Sequence, residues 1–406
     1  MNKKNERFLL ISPDFPPPLV GGSLVWLLNL VSNCPEEFDV LTGPKNKEYV
    51  EVFESPNRVF RSKFIKDSHD PTKLQLLFTY LYMPIWMVRH NFKEKYSAVL
   101  VNPGVIGNSI LFLVGKLFGI KVIGIGHGEE ITVPLYGKGL KNFIKRSIMK
   151  FSYKHAVGFI VVCHFCKRLL ESIEVNGEFV DVIPSCLNPD KIGKRRANPK
   201  NNHNIISVGR LIERKGFHFL IDAVVELKKQ FPEIRLEIVG NGPYKNTLEK
   251  KIKDTQSSSY INLNGEISDD ILVNLYENSA IAVLAHTLLK NGDTEGCPTV
   301  FSEAMGHGLP VIGGDGAGAD TAIVDGKNGF IVHSPNIGEL IDAISTIFLK
   351  PDLAQSMSEY GRKKLQRDHD PKKNGLAMQG SLHRFIENSL AEGHQKDFNE
   401  RPGKIE

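Results

Sequence analysis

The 406-residue chain has no apolar run long enough to cross a bilayer, so a spanning helix is not expected. It is also poor in cysteine. Cys34, Cys163, Cys166, Cys186 and Cys297 are too few and too scattered for a disulfide framework, which fits a reducing compartment. Cys163 and Cys166 form one CxxC inside the apolar run VGFIVVCHFCKRLL, with no second pair to complete a zinc site. They read as buried thiols in a strand-to-helix turn. The opening MNKKNERFLLIS lacks the long apolar core of a signal peptide, because Pro13 and Asp14 cut it short. A mature, cytosolic N-terminus is expected. A net charge of +5 is too small to argue for nucleic acid as a partner.

What remains is an ordinary globular composition, 41% hydrophobic and 24% charged, in a chain too long for one core. Short apolar runs alternate with helical patterns, the mark of parallel sheets wrapped by helices. RFLLIS, SAVLVN, KVIGIG and VGFIVV are the clearest strands of the first half; IISVG, RLEIVG, YINLNG, IAVLA and PVIGG follow in the second. Between them lies a polar segment rich in Asn, Pro and basic residues. The pattern predicts an α/β chain of two Rossmann-like, doubly wound domains, 1–187 and 204–370, joined by a linker at 188–203. A helix over 371–392, which can cross back to the first domain, and a polar tail at 393–406 complete it. Two such sheets are expected to turn their strand carboxyl ends toward a shared cleft, where ligands of this architecture bind.

Three loops after strands carry the chemistry. In SPDFPPPLVGGS, Gly21 and Gly22 precede a helix whose Leu24, Leu27, Leu28 and Val31 recur at helical spacing. Glycines at a helix start let backbone amides approach a diphosphate, although a plain tight turn has the same appearance. In VGRLIERKG, Arg210 and Lys215 stand between a strand and a helix, suited to the charge that grows on a departing diphosphate. In EGCPTVFSEAMGHGLPVI, Glu295 lies just outside a helix that starts near Pro298, and Glu303 about one and a half turns inside it. These carboxylates are too far apart to share one atom, but they can hold hydroxyls at two points of an extended ligand. The amides of Cys297, Thr299 and Val300 are further phosphate donors.

Together these residues resemble the retaining GT-B glycosyltransferases of family four, the group with the Glu-x7-Glu motif. VGRLIERKG, VGNGP at 239–243, the Glu295 to Glu303 segment and IVDGKNGFIV at 323–332 follow the family's order and spacing, while FPPPLVGG and IGIGHGEE match more loosely. The resemblance implies a nucleotide diphosphate sugar as co-substrate, UDP- or GDP-linked, and a glycan or lipid-linked acceptor in surface polysaccharide synthesis. Glu303 would bind ribose hydroxyls, and Glu295 the donor sugar near its anomeric carbon. Arg210 and Lys215, with amides around Gly22, would hold the diphosphate. The donor-binding set is completed by Gly240, Asn241, Gly242, Gly296 and Pro298, and His127 would touch the donor sugar. No protein nucleophile, cofactor or metal is implied. The lone Asp-x-Asp string, Asp368-His369-Asp370, reads as a helix end.

Other readings compete. PVIGGDGAGAD contains Gly314-x-Gly316-x-x-Ala319 after a strand, as in NAD-dependent oxidoreductases, but Asp325-Gly326 and Asn328-Gly329 leave no room for the long helix which that fingerprint needs. A GT-B epimerase or inverting transferase, or a non-catalytic sugar-nucleotide-binding protein, would keep the same fold. GKGLKNFIKRSIMKFSYKHA carries Lys138, Lys141, Lys145, Arg146, Lys150 and Lys154 and no acid. Residues 138–156 suit either an interfacial helix on anionic lipid, making the protein peripheral at the inner face of a membrane, or an ordinary helix with a core stripe. The run LLFTYLYMPIWMVRHNF at 76–92 could add to such a lipid-facing surface, but the core is the preferred assignment.

Overall fold

The computed structural model describes residues 6–16, 22–44, 58–66, 72–102, 104–187, 193, 202–316 and 318–399, without the side chains of residues 129 and 392–399. It divides into two compact units. The first comprises Met1–Val161, Lys167–Ile183 and Lys372–Glu406; the second comprises Val162–Cys166 and Pro184–Pro371.

The first unit opens with β1 (Arg7–Ile11), α1 (Gly22–Asn33), β2 (Glu37–Thr42), β3 (Arg58–Arg61), α2 (Lys73–Glu94) and β4 (Ala98–Val101). It continues with α3 (Gly104–Phe118), β5 (Val122–Gly126), α4 (Glu129–Tyr136), α5 (Leu140–Tyr153), β6 (Gly158–Val161), α6 (His164–Glu171) and β7 (Val180–Val182). Its strands form a parallel sheet in the order β3-β2-β1-β4-β5-β6-β7. Central strands such as AVLV and VIGIG are buried throughout, as a sheet covered on both faces requires. α2 is started by a capping box, Gln75 N donating to Thr72 Oγ1 and Thr72 N to Gln75 Oε1, and is stopped at Lys95 in the left-handed conformation.

The second unit holds β8 (Asn204–Val208), α7 (Phe217–Leu227), β9 (Arg235–Val239), α8 (Lys245–Asp254), β10 (Ile261–Gly265), α9 (Asp269–Glu277) and β11 (Ile281–Leu284). It goes on through α10 (Thr299–Gly306), β12 (Val311–Gly314), α11 (Ala319–Ala322), β13 (Gly329–Val332), α12 (Ile337–Leu349) and α13 (Pro351–Asp368). The sheet is again parallel, in the order β10-β9-β8-β11-β12-β13, over one continuous apolar core. Last comes α14 (Pro371–Asn399), which from Lys372 onward packs with the first unit.

Nine strands are where the sequence indicates; β2, β3, β7 and β13 are additions. β2 escapes a hydropathy reading because Asp39 interrupts EFDVLT, yet that carboxylate is buried, accepting from Arg58 and from Tyr96 Oη at 2.7 Å. The core assignment of residues 76–92 is corrected. Met83, Trp86 and Met87 point inward, but Leu77, Phe78, Leu81, Ile85 and Phe92 are exposed, because a two-sided helix has only one face for the sheet. The polar tail is shorter than expected, since α14 runs to Asn399. The linker at 188–203 lies outside the described residues except for 193, 202 and 203.

Candidate functional site

In an open parallel sheet, ligands bind outside the strand carboxyl ends where the strand order reverses. In the second unit that point lies between β8 and β11. The loop after β8 makes a short helical turn, Glu213–Lys215, before α7, and the loop after β11 runs from Ala285 to α10. Glu295 meets both cations of that turn. Arg214 Nε donates to its Oε1 at 2.7 Å, and Lys215 Nζ to its Oε2 at 2.8 Å. Arg214 also donates to Asp293 Oδ1 at 2.7 Å. Burial alone would raise the Glu295 carboxyl, but the charges and hydrogen bonds of Lys215 and Arg214 bring it down to about 2. Glu295 is therefore ionised at neutral pH.

The loops around this clasp are tied together by backbone. Thr287 N donates to Arg214 O at 2.8 Å, Leu211 N to Asn241 O at 2.8 Å, and Gly318 N to Gly296 O at 2.9 Å. Gly240 and Gly242 allow such closeness. A Cβ on Gly240 would lie 2.0 Å from Gly209 O, and one on Gly242 2.4 Å from Leu211 O; both have positive φ, +133° and +159°. Arg210 is exposed and has no ion pair among the described residues.

Pro298 caps α10 rather than entering its first turn, which leaves the amides of Thr299 and Val300 at the helix start. Inside the helix, Glu303 Oε2 accepts from Tyr276 Oη at 3.1 Å. Burial first, and Glu303 second, push the Tyr276 hydroxyl well above its usual range, so it stays a donor. The Tyr276 ring stacks on His307, with centroids 5.0 Å apart and planes 8° apart. Cys297 has its thiol pushed up to about 12 by burial, so only its backbone is suited to an anion.

In the first unit the strand order reverses between β1 and β4. Gly22 opens α1 after β1; Gly21 lies outside the described residues. His127 follows β5, and Trp26 of α1 meets its ring edge-on at 5.0 Å. Burial pulls the imidazole down to about 4, so it is neutral at physiological pH, and its Nε2 has no partner among the described residues. Glu130 fixes the loop, accepting from His127 N at 2.6 Å and from Gly128 N at 3.1 Å.

Three residues escaped the sequence reading: Arg214, Tyr276 and His286. His286 is fully buried at the end of β11, its imidazole pulled down to about 4 by burial and Nε2 unpartnered among the described residues. The Ala-His pair after an apolar strand was the only signal for it. The Cys163 and Cys166 thiols are buried, 3.1 Å apart. Asp368 ends α13, paired with Lys364 and Arg367, and no cluster of three or more His, Cys, Asp or Glu among the described residues is arranged for a metal. Between Gly314-x-Gly316 and β13 the described residues form the four-residue helix α11, so the dinucleotide fingerprint lacks its long helix.

Comparison with known proteins agrees with this geometry. Residues 189–364 match the family model of Glycosyl transferases group 1. A GDP-mannose-dependent alpha-(1-6)-phosphatidylinositol monomannoside mannosyltransferase of Mycolicibacterium smegmatis is 30% identical over 159 residues, 39% of this chain and 42% of that protein. The chain thus spans less than half the length of the curated relatives it matches. Sucrose-phosphate synthase of Thermosynechococcus elongatus superposes with a TM-score of 0.75 at 19% identity, over 95% of this chain and 100% of that one. Anabaena HepE in complex with UDP gives 0.72 at 16%, over 93% and 100%. At such identities the structures speak for the fold alone. The chain has the GT-B fold, and its residues 189–364 match the glycosyl transferases group 1 family.

Proposed function

We propose that the protein is a retaining glycosyltransferase that moves a sugar from a UDP- or GDP-sugar to a glycan or lipid-linked acceptor, in the synthesis of a surface polysaccharide. The carrying observation is Glu295, ionised between Arg214 and Lys215 at the strand-order reversal, with Glu303 fixed by Tyr276 one helix turn further in. An ionised carboxylate cannot donate a proton, so Glu295 acts as an acceptor for donor-sugar hydroxyls rather than as a general acid. Glu303 accepts from the ribose hydroxyls. Lys215, the exposed Arg210 and the amides of Thr299 and Val300 support the diphosphate, and the backbone of Gly240, Asn241 and Gly242 lies along it. In the first unit, neutral His127 suits contact with a sugar hydroxyl, and the α1 start at Gly22 contact with an anion.

In the transfer, the bond from the anomeric carbon to the β-phosphate oxygen breaks and its electron pair stays on phosphate. The acceptor oxygen bonds to the same face of that carbon, and its proton passes to the departing phosphate oxygen. The positive charge for this comes from side chains and amides, so the step is proposed to need no metal.

Thermal shift with UDP, GDP, ADP and NAD, each with magnesium and with EDTA, tests the reading. One of UDP or GDP at a hundred times its dissociation constant should stabilise the protein by about 2.7 kcal/mol, with or without EDTA. Response to NAD alone, or to none, would overturn it. With the donor found, an inverted anomeric configuration in the NMR spectrum of the product would overturn retention.

A further inference from the structure

We propose that the helical layer formed by α2, α3 and α5 of the first unit is a docking face for an anionic lipid bilayer. The connections from β3 to β4, β4 to β5 and β5 to β6 all advance in one direction across the sheet, so right-handed crossovers put their helices on one face. α3 packs between α2 and α5.

The outer side of this layer is apolar where a helix exposed to water is ordinarily polar. On α2, Leu74, Leu77, Phe78, Leu81, Ile85 and Phe92 follow helical spacing and are exposed, Phe92 to 69%. On α5 the same holds for Leu140, Phe143, Ile144, Ile148 and Phe151, Leu140 to 74%. These are not the residues that hold the helices to the sheet. That task falls to Met83, Trp86 and Met87 on α2, and to Met149 and Tyr153 on α5. The core-stripe reading of the basic helix is thereby removed, since its aliphatic and aromatic stripe faces outward.

Charge decides the occupant. Residues 71–170 contain fourteen Lys and Arg against three Asp and Glu, a net of +11 in a chain whose total is +5. Lys141 and Lys150 are exposed beside the α5 stripe, and Lys154 lies 5.3 Å over the Phe151 ring. Two copies meeting through this layer would oppose like charges. An anionic bilayer takes both the apolar side chains and the cations around them. This inference does not rest on the transfer reaction, and either can fail alone.

The test is sedimentation of the full chain with vesicles of phosphatidylcholine alone and of equal parts phosphatidylcholine and phosphatidylglycerol, with light scattering of the free protein. Binding to the anionic vesicles only is expected. Each Lys near such a surface is worth roughly fivefold in affinity, so reversing two, Lys141→Glu with Lys150→Glu, should weaken binding at least about thirtyfold. Phe143→Ser with Ile144→Ser, and separately Leu77→Ser with Leu81→Ser, should each weaken it on the order of tenfold or more while the melting temperature holds. Absent binding to anionic vesicles, or equal binding to neutral ones, would overturn the proposal. So would a dimer dispersed by Phe143→Ser with Ile144→Ser, which would make the layer a self-interface. If the α2 pair had no effect, α2 would drop out of the docking face.

Discussion

The two units are built alike, from parallel sheets under helices, but they differ in where they spend their charged and apolar side chains. Of the twenty large apolar residues exposed among those described, seventeen lie in the first unit and three in the second. Ion pairs differ too. In the first unit, Arg7, Glu37 and Arg58 begin their strands and form a network with Asp39 and Glu94 at the end of the sheet where ligands of this architecture do not bind. In the second, Arg214, Lys215, Asp293 and Glu295 gather at the carboxyl end. The same chemistry fastens a sheet in one place and readies an anion site in the other.

Substitution of an acid in each network gives the largest contrast. Glu295→Gln leaves Lys215 without its carboxylate partner and Arg214 with Asp293 alone, and breaking such a buried pair should cost about 3–5 kcal/mol in urea unfolding. Glu37→Gln removes a half-exposed partner of Arg7 and should cost no more than about 1 kcal/mol. Equal costs would erase the distinction.

Acid should act more strongly on the second unit. Buried His286 and His369 there, and His127 in the first, are all held down to about 4 by burial. A folded-state pKa below the unfolded value of about 6.5 means that the unfolded chain takes up protons first, so stability is full above about 6.5 and falls as pH drops toward 4. Each imidazole contributes a slope of roughly 1.4 kcal/mol per pH unit. Hydrogen exchange read at pH 7 and 5 should show β8, β11 and β12 losing more protection than β1, β4 and β5.

Glycines sharpen the contrast further. Gly240→Ala puts a Cβ 2.0 Å from Gly209 O at φ +133°, and should cost on the order of 3 kcal/mol or more through steric and backbone strain combined. Gly139→Ala in the first unit meets open space at φ +93° and carries backbone strain alone, about 1–2 kcal/mol. The smallest effect belongs to the outward stripe. Ile85→Ser, already 67% exposed, should change the stability of the free protein by no more than about 0.5 kcal/mol, and a larger loss in thermal melts would show that Ile85 is structural.

These contrasts also explain what the sequence disclosed. The second unit's loops were legible because glycines at close approach and charges at fixed spacing act over a few residues, as in Gly240 to Gly242 and Glu295 to Glu303. That both cations of Glu213-Arg214-Lys215 close on Glu295 was not, since the short helical turn and the loop after β11 decide it together. β2 was hidden by Asp39, whose partners Arg58 and Tyr96 lie 19 and 57 residues away. The outward stripe of α2 was hidden because a period of 3.6 residues says that a helix has two faces, not which one meets the sheet.

The route of the chain has a consequence for how it is made. It leaves the first unit after Val161 and Ile183, and returns to stay only at Lys372. There Phe385 of α14 lies against Gly158, where an added Cβ would come within 2.4 Å of its ring. Chains emerge from the ribosome amino end first, at about 5–20 residues per second. The unit begun first is thus completed last: the second can close once Pro371 has emerged, while the first waits with the Gly158 side of β6 lacking its Phe385 cover.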